Sequence, residues 1–141
     1  MKERGRTRRR AASREPFWIG EREALAIHDR VIALHGGLSA MRDSRLLESA
    51  LARPRQHYAY REHTSFWDLA AFYVAGIVRN HPFVDGNKRA GFVIGVLFLE
   101  LNGFEFFANE EDAAQAVMEL AAGTIDEADF AQWLKTNIKR N

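Results

Sequence analysis

Apolar positions recur along most of this chain at three- and four-residue steps, the period of a helix that buries one face. Between Ile19 and Leu34 the set Ala24, Leu25, Ile27, His28, Val31, Ile32 and Leu34 marks a first amphipathic helix, stopped by Gly36-Gly37. Asp43 is placed to cap a second helix with the face Leu46, Leu47, Ala50 and Leu51. Pro54 should end it, because proline disfavours helical geometry in the residue before it. Residues 55–64 keep no clean period and read as a loop or a short extended flap, with room for a short β-hairpin. Thr64 or Ser65 can cap a third helix, with Asp68 in its first turn and Phe66, Leu69, Phe72, Tyr73, Gly76 and Ile77 on its apolar face. That helix runs into Asn80-His81-Pro82, where proline again argues for a break.

From Asn87 to Leu101 the chain is apolar nearly all round, the pattern of a central helix covered on every side, and Asn102-Gly103 is a good stop. Phe104 to Phe107 suits a short extended piece. Glu110–Ala121 and Asp126–Ile138 give two more helices, the last with Phe130, Trp133, Leu134 and Ile138 on one face. Six helices joined by short loops, without sustained strand alternation, predict an all-α fold: a compact single-domain helical bundle with a buried central helix.

The length of 141 residues fits one domain, since roughly 100–150 residues is the commonest size. No cysteine is present, which excludes disulfides and thiolate ligands and suits a reducing compartment. The longest apolar run, Phe92 to Leu99, falls far short of the ~20 residues of a membrane-spanning helix. No apolar signal core follows the basic N-terminus, so the expected location is the cytoplasm, away from membranes.

A net charge of +1 conceals an asymmetry. Residues 1–14 hold seven cations against Glu3, a net +6, which leaves the remainder at −5. Like charges without apolar periodicity read as a solvated, disordered arm over residues 1–16, ahead of a folded domain over 17–141. The alternative for the arm is an electrostatic contact with nucleic acid or an acidic partner. The acidic remainder does not look like a nucleic-acid-binding domain.

Chemistry concentrates in His81-Pro82-Phe83-Val84-Asp85-Gly86-Asn87-Lys88-Arg89, immediately before the apolar helix. A helix start offers free backbone N–H groups and a positive dipole end, and so binds phosphate. Imidazole as a side-chain type titrates near neutrality, so a histidine at position 81 can accept a proton from a hydroxyl. Asp85 can hold Mg²⁺, which takes one or two protein carboxylates plus phosphate oxygens; the alternative is a simple helix cap. Gly86 removes a Cβ where phosphate would approach the backbone. Asn87, Lys88 and Arg89 open the helix with two cations that oppose its dipole, a conflict that a bound anion removes. Phe83 is assigned to the core. His28, His35, His57 and His63 lack comparable neighbours, and no HxxxH pairing suggests zinc. The site reads as phosphoryl or nucleotidyl transfer.

At these residues the chain resembles the Fic/Doc family, and most closely its Doc (death-on-curing) branch. The Fic pattern HxFx(D/E)GNGRxxR matches HPFVDGNKRAGF through Asn87. It departs at Lys88, where Fic proteins have glycine, and at Phe92, where they have a second arginine; lysine at that step is a Doc feature. The segments LAIHDRVIALHGG, RDSRLLESALARP and FLELNGFEF are also Doc-like, so the resemblance covers roughly residues 17–135. It implies an all-α fold, His81 as base for a target hydroxyl, Asp85 at a metal–phosphate site, and Gly86, Asn87, Lys88 and Arg89 as the anion cradle.

Fic proteins with the full pattern mostly transfer AMP to protein hydroxyls. Doc-type toxins bind ATP reversed and phosphorylate a threonine of the translation elongation factor that delivers aminoacyl-tRNA. The expected activity is therefore Mg²⁺- and ATP-dependent phosphotransfer to a protein hydroxyl, with AMP transfer as the alternative. The inhibitory pattern (S/T)xxxE(G/N) is absent, because no glutamate precedes glycine or asparagine. The resemblance then implies an antitoxin acting in trans, and segment 53–64 is the expected docking region. A further alternative is a non-catalytic module that binds an antitoxin-like partner, with operator DNA contacted through the basic arm.

Overall fold

A computed structural model describes residues 15–61 and 64–141; the basic arm 1–14 lies outside the described residues, as do Glu62 and His63. The chain forms α1 (Glu21–His35), α2 (Ser44–Tyr60), α3 (Phe66–Asn80), α4 (Asn87–Leu101), β1 (Phe104–Phe106), α5 (Glu110–Ala122), α6 (Glu127–Thr136) and β2 (Ile138–Arg140). The all-α architecture is as the periodicity predicts. No described helix is long and apolar enough to cross a membrane.

Helix α3 is the covered centre. Every residue from Tyr73 to Val78 is buried, and the helix packs against α2, α4, α5 and α6. Two glycines let its neighbours come close. A Cβ on Gly95 of α4 would lie 2.5 Å from Val74 Cγ2, and one on Gly76 would lie 3.0 Å from the Ala50 Cβ on α2. Helix α4 itself is covered on one face only, with Val93 and Leu101 exposed, so the sequence's even apolarity overstates its burial. Tyr73 ties the N-terminal segment to this core: its hydroxyl accepts the Ile19 N–H at 2.9 Å, and burial pushes its pKa up to about 12. Pro16 is also buried, so packing starts ahead of residue 17.

Three further expectations need correction. Pro54 lies inside α2, which continues to Tyr60, so residues 55–60 are helix and form no flap or hairpin. Tertiary contacts hold this half of the helix: Arg53 pairs with Glu127, His57 stacks on Phe72 at 4.0 Å, and Tyr58 meets Trp18 edge-on. Helix α6 stops at Thr136, and Ile138 instead pairs with Phe106 in a two-stranded antiparallel sheet. Backbone pairing of Glu105 with Lys139 and Phe104 with Arg140 completes that ribbon. Finally, Gly86 takes the N-cap position of α4, so Asp85 is not its cap.

Candidate active site

Local sequence shapes the loop between α3 and α4. Helix α3 ends with the His81 N–H donating to Ile77 O, and His81 then turns left-handed at φ 52°, ψ 57°. Among the described residues it is the only non-glycine with positive φ. Such a conformation costs about 1–3 kcal/mol and persists only where its surroundings impose it. Here Pro82 follows, and the Pro82 carbonyl accepts the N–H groups of Arg42 (2.7 Å) and Asp43 (3.0 Å). Met41 and Phe83 form an antiparallel bridge, and the Val84 N–H donates to Ala40 O at 2.9 Å. Residues 40–43 thus act as a backing strip for the motif.

Buried groups fix the loop from inside. Phe83 is in the core, as expected, stacked flat on the His28 ring at 3.7 Å. His28 Nε2 donates to the Asp85 carbonyl at 2.7 Å; a carbonyl only accepts, so Nε2 carries the proton. The Asn87 side chain is turned inward and brackets Phe83, its Oδ1 accepting the Phe83 N–H and its Nδ2 donating to Phe83 O. Those two bonds set the amide's orientation. The remaining Nδ2–H faces His81 Nδ1 at 3.4 Å, so His81 meets it with an unprotonated Nδ1.

An open cleft of about 460 Å³ lies between the C-terminal end of α1 and the N-terminal end of α4. Val31, His35, Gly36 and Gly37 form one wall, and His81 with residues 84–89 forms the other. All six sequence-predicted site residues, His81, Asp85, Gly86, Asn87, Lys88 and Arg89, line it together. Gly86 sits at φ 81°, a conformation that favours glycine, and a Cβ there would also come within 3.1 Å of Ile32 Cδ1 on α1. The first N–H groups of α4 have no intrahelical acceptor, and no side chain caps them. Lys88 and Arg89 are exposed and pair with no carboxylate among the described residues.

Asp85 Oδ2 accepts the Leu38 N–H at 2.8 Å, which anchors the carboxylate to the Gly-Gly turn and leaves Oδ1 for another partner. No group of three or more His, Asp or Glu residues that could hold a metal exists among the described residues. The donor set therefore fits only a cation that brings most of its oxygen ligands with it, as Mg²⁺ on a polyphosphate does.

Phe92 packs edge-on against Phe106 at 5.5 Å and takes no part in the cleft. Within the expected docking segment, Arg53 is engaged by Glu127 and lies 4.9 Å from the Phe72 ring, whereas Tyr60 is exposed. Sequence reasoning missed His28, Leu38 and Arg42. His28 left a trace as a polar residue on the apolar face of α1; Arg42 left none.

A sequence model of the Fic/DOC family matches residues 18–99. The chain is 33% identical over 117 residues to the protein named Protein kinase doc of Escherichia phage P1, covering 83% of this chain and 92% of that protein. It is also 37% identical over 89 residues to Toxin Doc of Mycolicibacterium smegmatis, covering 62% of this chain and 68% of that protein. With its site geometry and these matches, the chain belongs to the Fic/Doc family, on the Doc branch.

Proposed function

We propose that this protein is a Doc-like toxin that transfers the γ-phosphate of ATP to a hydroxyl group of a protein target. The observation that carries this reading is one cleft that unites His81, two cations with no carboxylate partner among the described residues, and the uncapped start of α4. The free N–H groups of the first turn, with Lys88 and Arg89, hold phosphate oxygens by charge-assisted hydrogen bonds. Asp85 would hold Mg²⁺, which would supply charge neutralisation at the phosphates. The target hydroxyl oxygen bonds to the γ-phosphorus, the bond to the β-phosphate oxygen breaks, and ADP leaves. The hydroxyl proton passes to His81 Nδ1, the unprotonated ring nitrogen; its 3.4 Å contact with Asn87 is long enough to yield. Positioning and charge neutralisation supply most of the rate enhancement.

Three things support phosphate over AMP as the transferred group. Lys88 replaces the glycine of the AMP-transferring pattern and adds charge beside the first phosphate. Phe92 replaces the second arginine and points its ring at Phe106, so distal phosphates lose a partner. A relative bears the name Protein kinase doc. The proposed target is the translation elongation factor that delivers aminoacyl-tRNA, and the proposed regulator is a separate antitoxin. Incubation of the purified protein and that factor with ATP labelled at the α- or the γ-phosphate tests the reading. Transfer of γ-label alone is expected; α-label on the target would make the reaction AMP transfer, and no label would remove catalysis.

A further inference from the structure

We propose that Arg42 is a positioning residue for the His81 imidazole, resting on the proton-acceptor role proposed for His81. Arg42 stands 39 residues before His81 in the chain and directly beneath the end of α3. Its Nε donates to His81 O at 2.6 Å and its Nη2 donates to Asn80 O at 2.8 Å. The rigid guanidinium fork therefore spans two consecutive carbonyls of the helix terminus. The Arg42 and Asp43 N–H groups take the next carbonyl, Pro82 O. Three successive carbonyls at the turn are thus held by two residues of one strip.

This grip falls on the one described non-glycine residue with left-handed backbone geometry. Carbonyls at a helix C-terminus lack intrahelical donors, and water can satisfy them in many backbone conformations. A fork that requires both oxygens at once selects one conformation. With φ and ψ of His81 set, the direction of its Cα–Cβ bond into the cleft is set as well. Among the described residues, the imidazole's one hydrogen-bond contact is with Asn87, at 3.4 Å. The anion cradle is held by different groups, His28 on Asp85 O and Asn87 on Phe83. Arg42 should then govern turnover and leave nucleotide affinity alone.

The test compares the full-length wild-type protein with Arg42→Ala and Arg42→Lys, using γ-labelled ATP and the proposed elongation factor. Thermal melting and the His81 backbone coupling constant, which reports φ, are read on the same samples. Arg42→Ala should lower kcat roughly tenfold to a hundredfold, the penalty of a misplaced catalytic group, with the ATP KM unchanged and the His81 coupling moved. Lysine restores the charge but not the fork, so Arg42→Lys should fold like wild type and remain below it in kcat.

Wild-type kcat and coupling in Arg42→Ala would overturn the proposal, as would full activity in Arg42→Lys. A raised KM with unchanged kcat would move Arg42 into nucleotide binding and overturn it too. If the wild type transfers no phosphate, the catalytic reading of His81 fails separately. The coupling constants then decide the anchoring claim, and a left-handed His81 that persists in both variants refutes it.

Discussion

Helices α4 and α5 begin in opposite ways within one molecule. Helix α5 starts behind Asn109, whose side-chain oxygen accepts the Asp112 N–H at 2.8 Å, and its first turn carries Glu110, Glu111 and Asp112. Helix α6 repeats the pattern, with Asp126 accepting from the Asp129 N–H and acids at Glu127 and Asp129. Helix α4 starts behind a glycine with no side-chain cap and no acid, and brings Lys88 and Arg89 instead. Acids near a helix start stabilise it and cations oppose it, each by about 0.3–1 kcal/mol. The starts of α5 and α6 are thus satisfied by the chain itself. That of α4 is left open toward a cleft, a state that an anionic ligand would complete.

Substitutions can break this contrast at several strengths. His81→Ala leaves both helix starts intact and should lower phosphotransfer by roughly 10²–10⁴-fold, the usual weight of a general base, measured with γ-labelled ATP. Gly86→Ala forces a Cβ toward Ile32 at positive φ and should lower stability by about 1–3 kcal/mol, read from chemical denaturation. The pair Lys88→Ala and Arg89→Ala should weaken ATP binding about tenfold or more, since a charged hydrogen bond contributes about 1.5–3 kcal/mol. Without nucleotide, the same pair should raise stability by a few tenths of a kcal/mol or more, because a cation that opposes the dipole is gone. Asn109→Ala sharpens the comparison from the other side: it should cost about 0.5–2 kcal/mol in denaturant and leave ATP binding unchanged.

The two starts also differ in how much of them could be read in advance. The beginnings of α5 and α6 follow from residues within one turn, so local sequence suffices for them. The same holds for the apolar faces of α1 and α3. Pro54 was misleading because packing of α2 against α3, Trp18 and Glu127 outweighs its local effect. Ile138 was misleading because a three-residue strand has no period of its own, and its partner Phe106 lies far back in the chain.

In the cleft, the grouping of the candidate residues was legible because His81 through Arg89 are consecutive. What holds them was not. His28 reaches Asp85 across 57 residues, Leu38 reaches Asp85 across 47, and Arg42 reaches His81 across 39. A polar contact between distant residues leaves no periodic mark, whereas burial of an apolar face does.

Titration of ATP and Mg²⁺ into the purified protein, followed by backbone amide resonances, tests the central claim most directly. The amides of Asn87, Lys88 and Arg89 should shift on binding while those of Glu110, Glu111 and Asp112 stay in place. Resonances at the α4 start that do not move at saturating nucleotide, or that move no more than those of α5, would contradict the account.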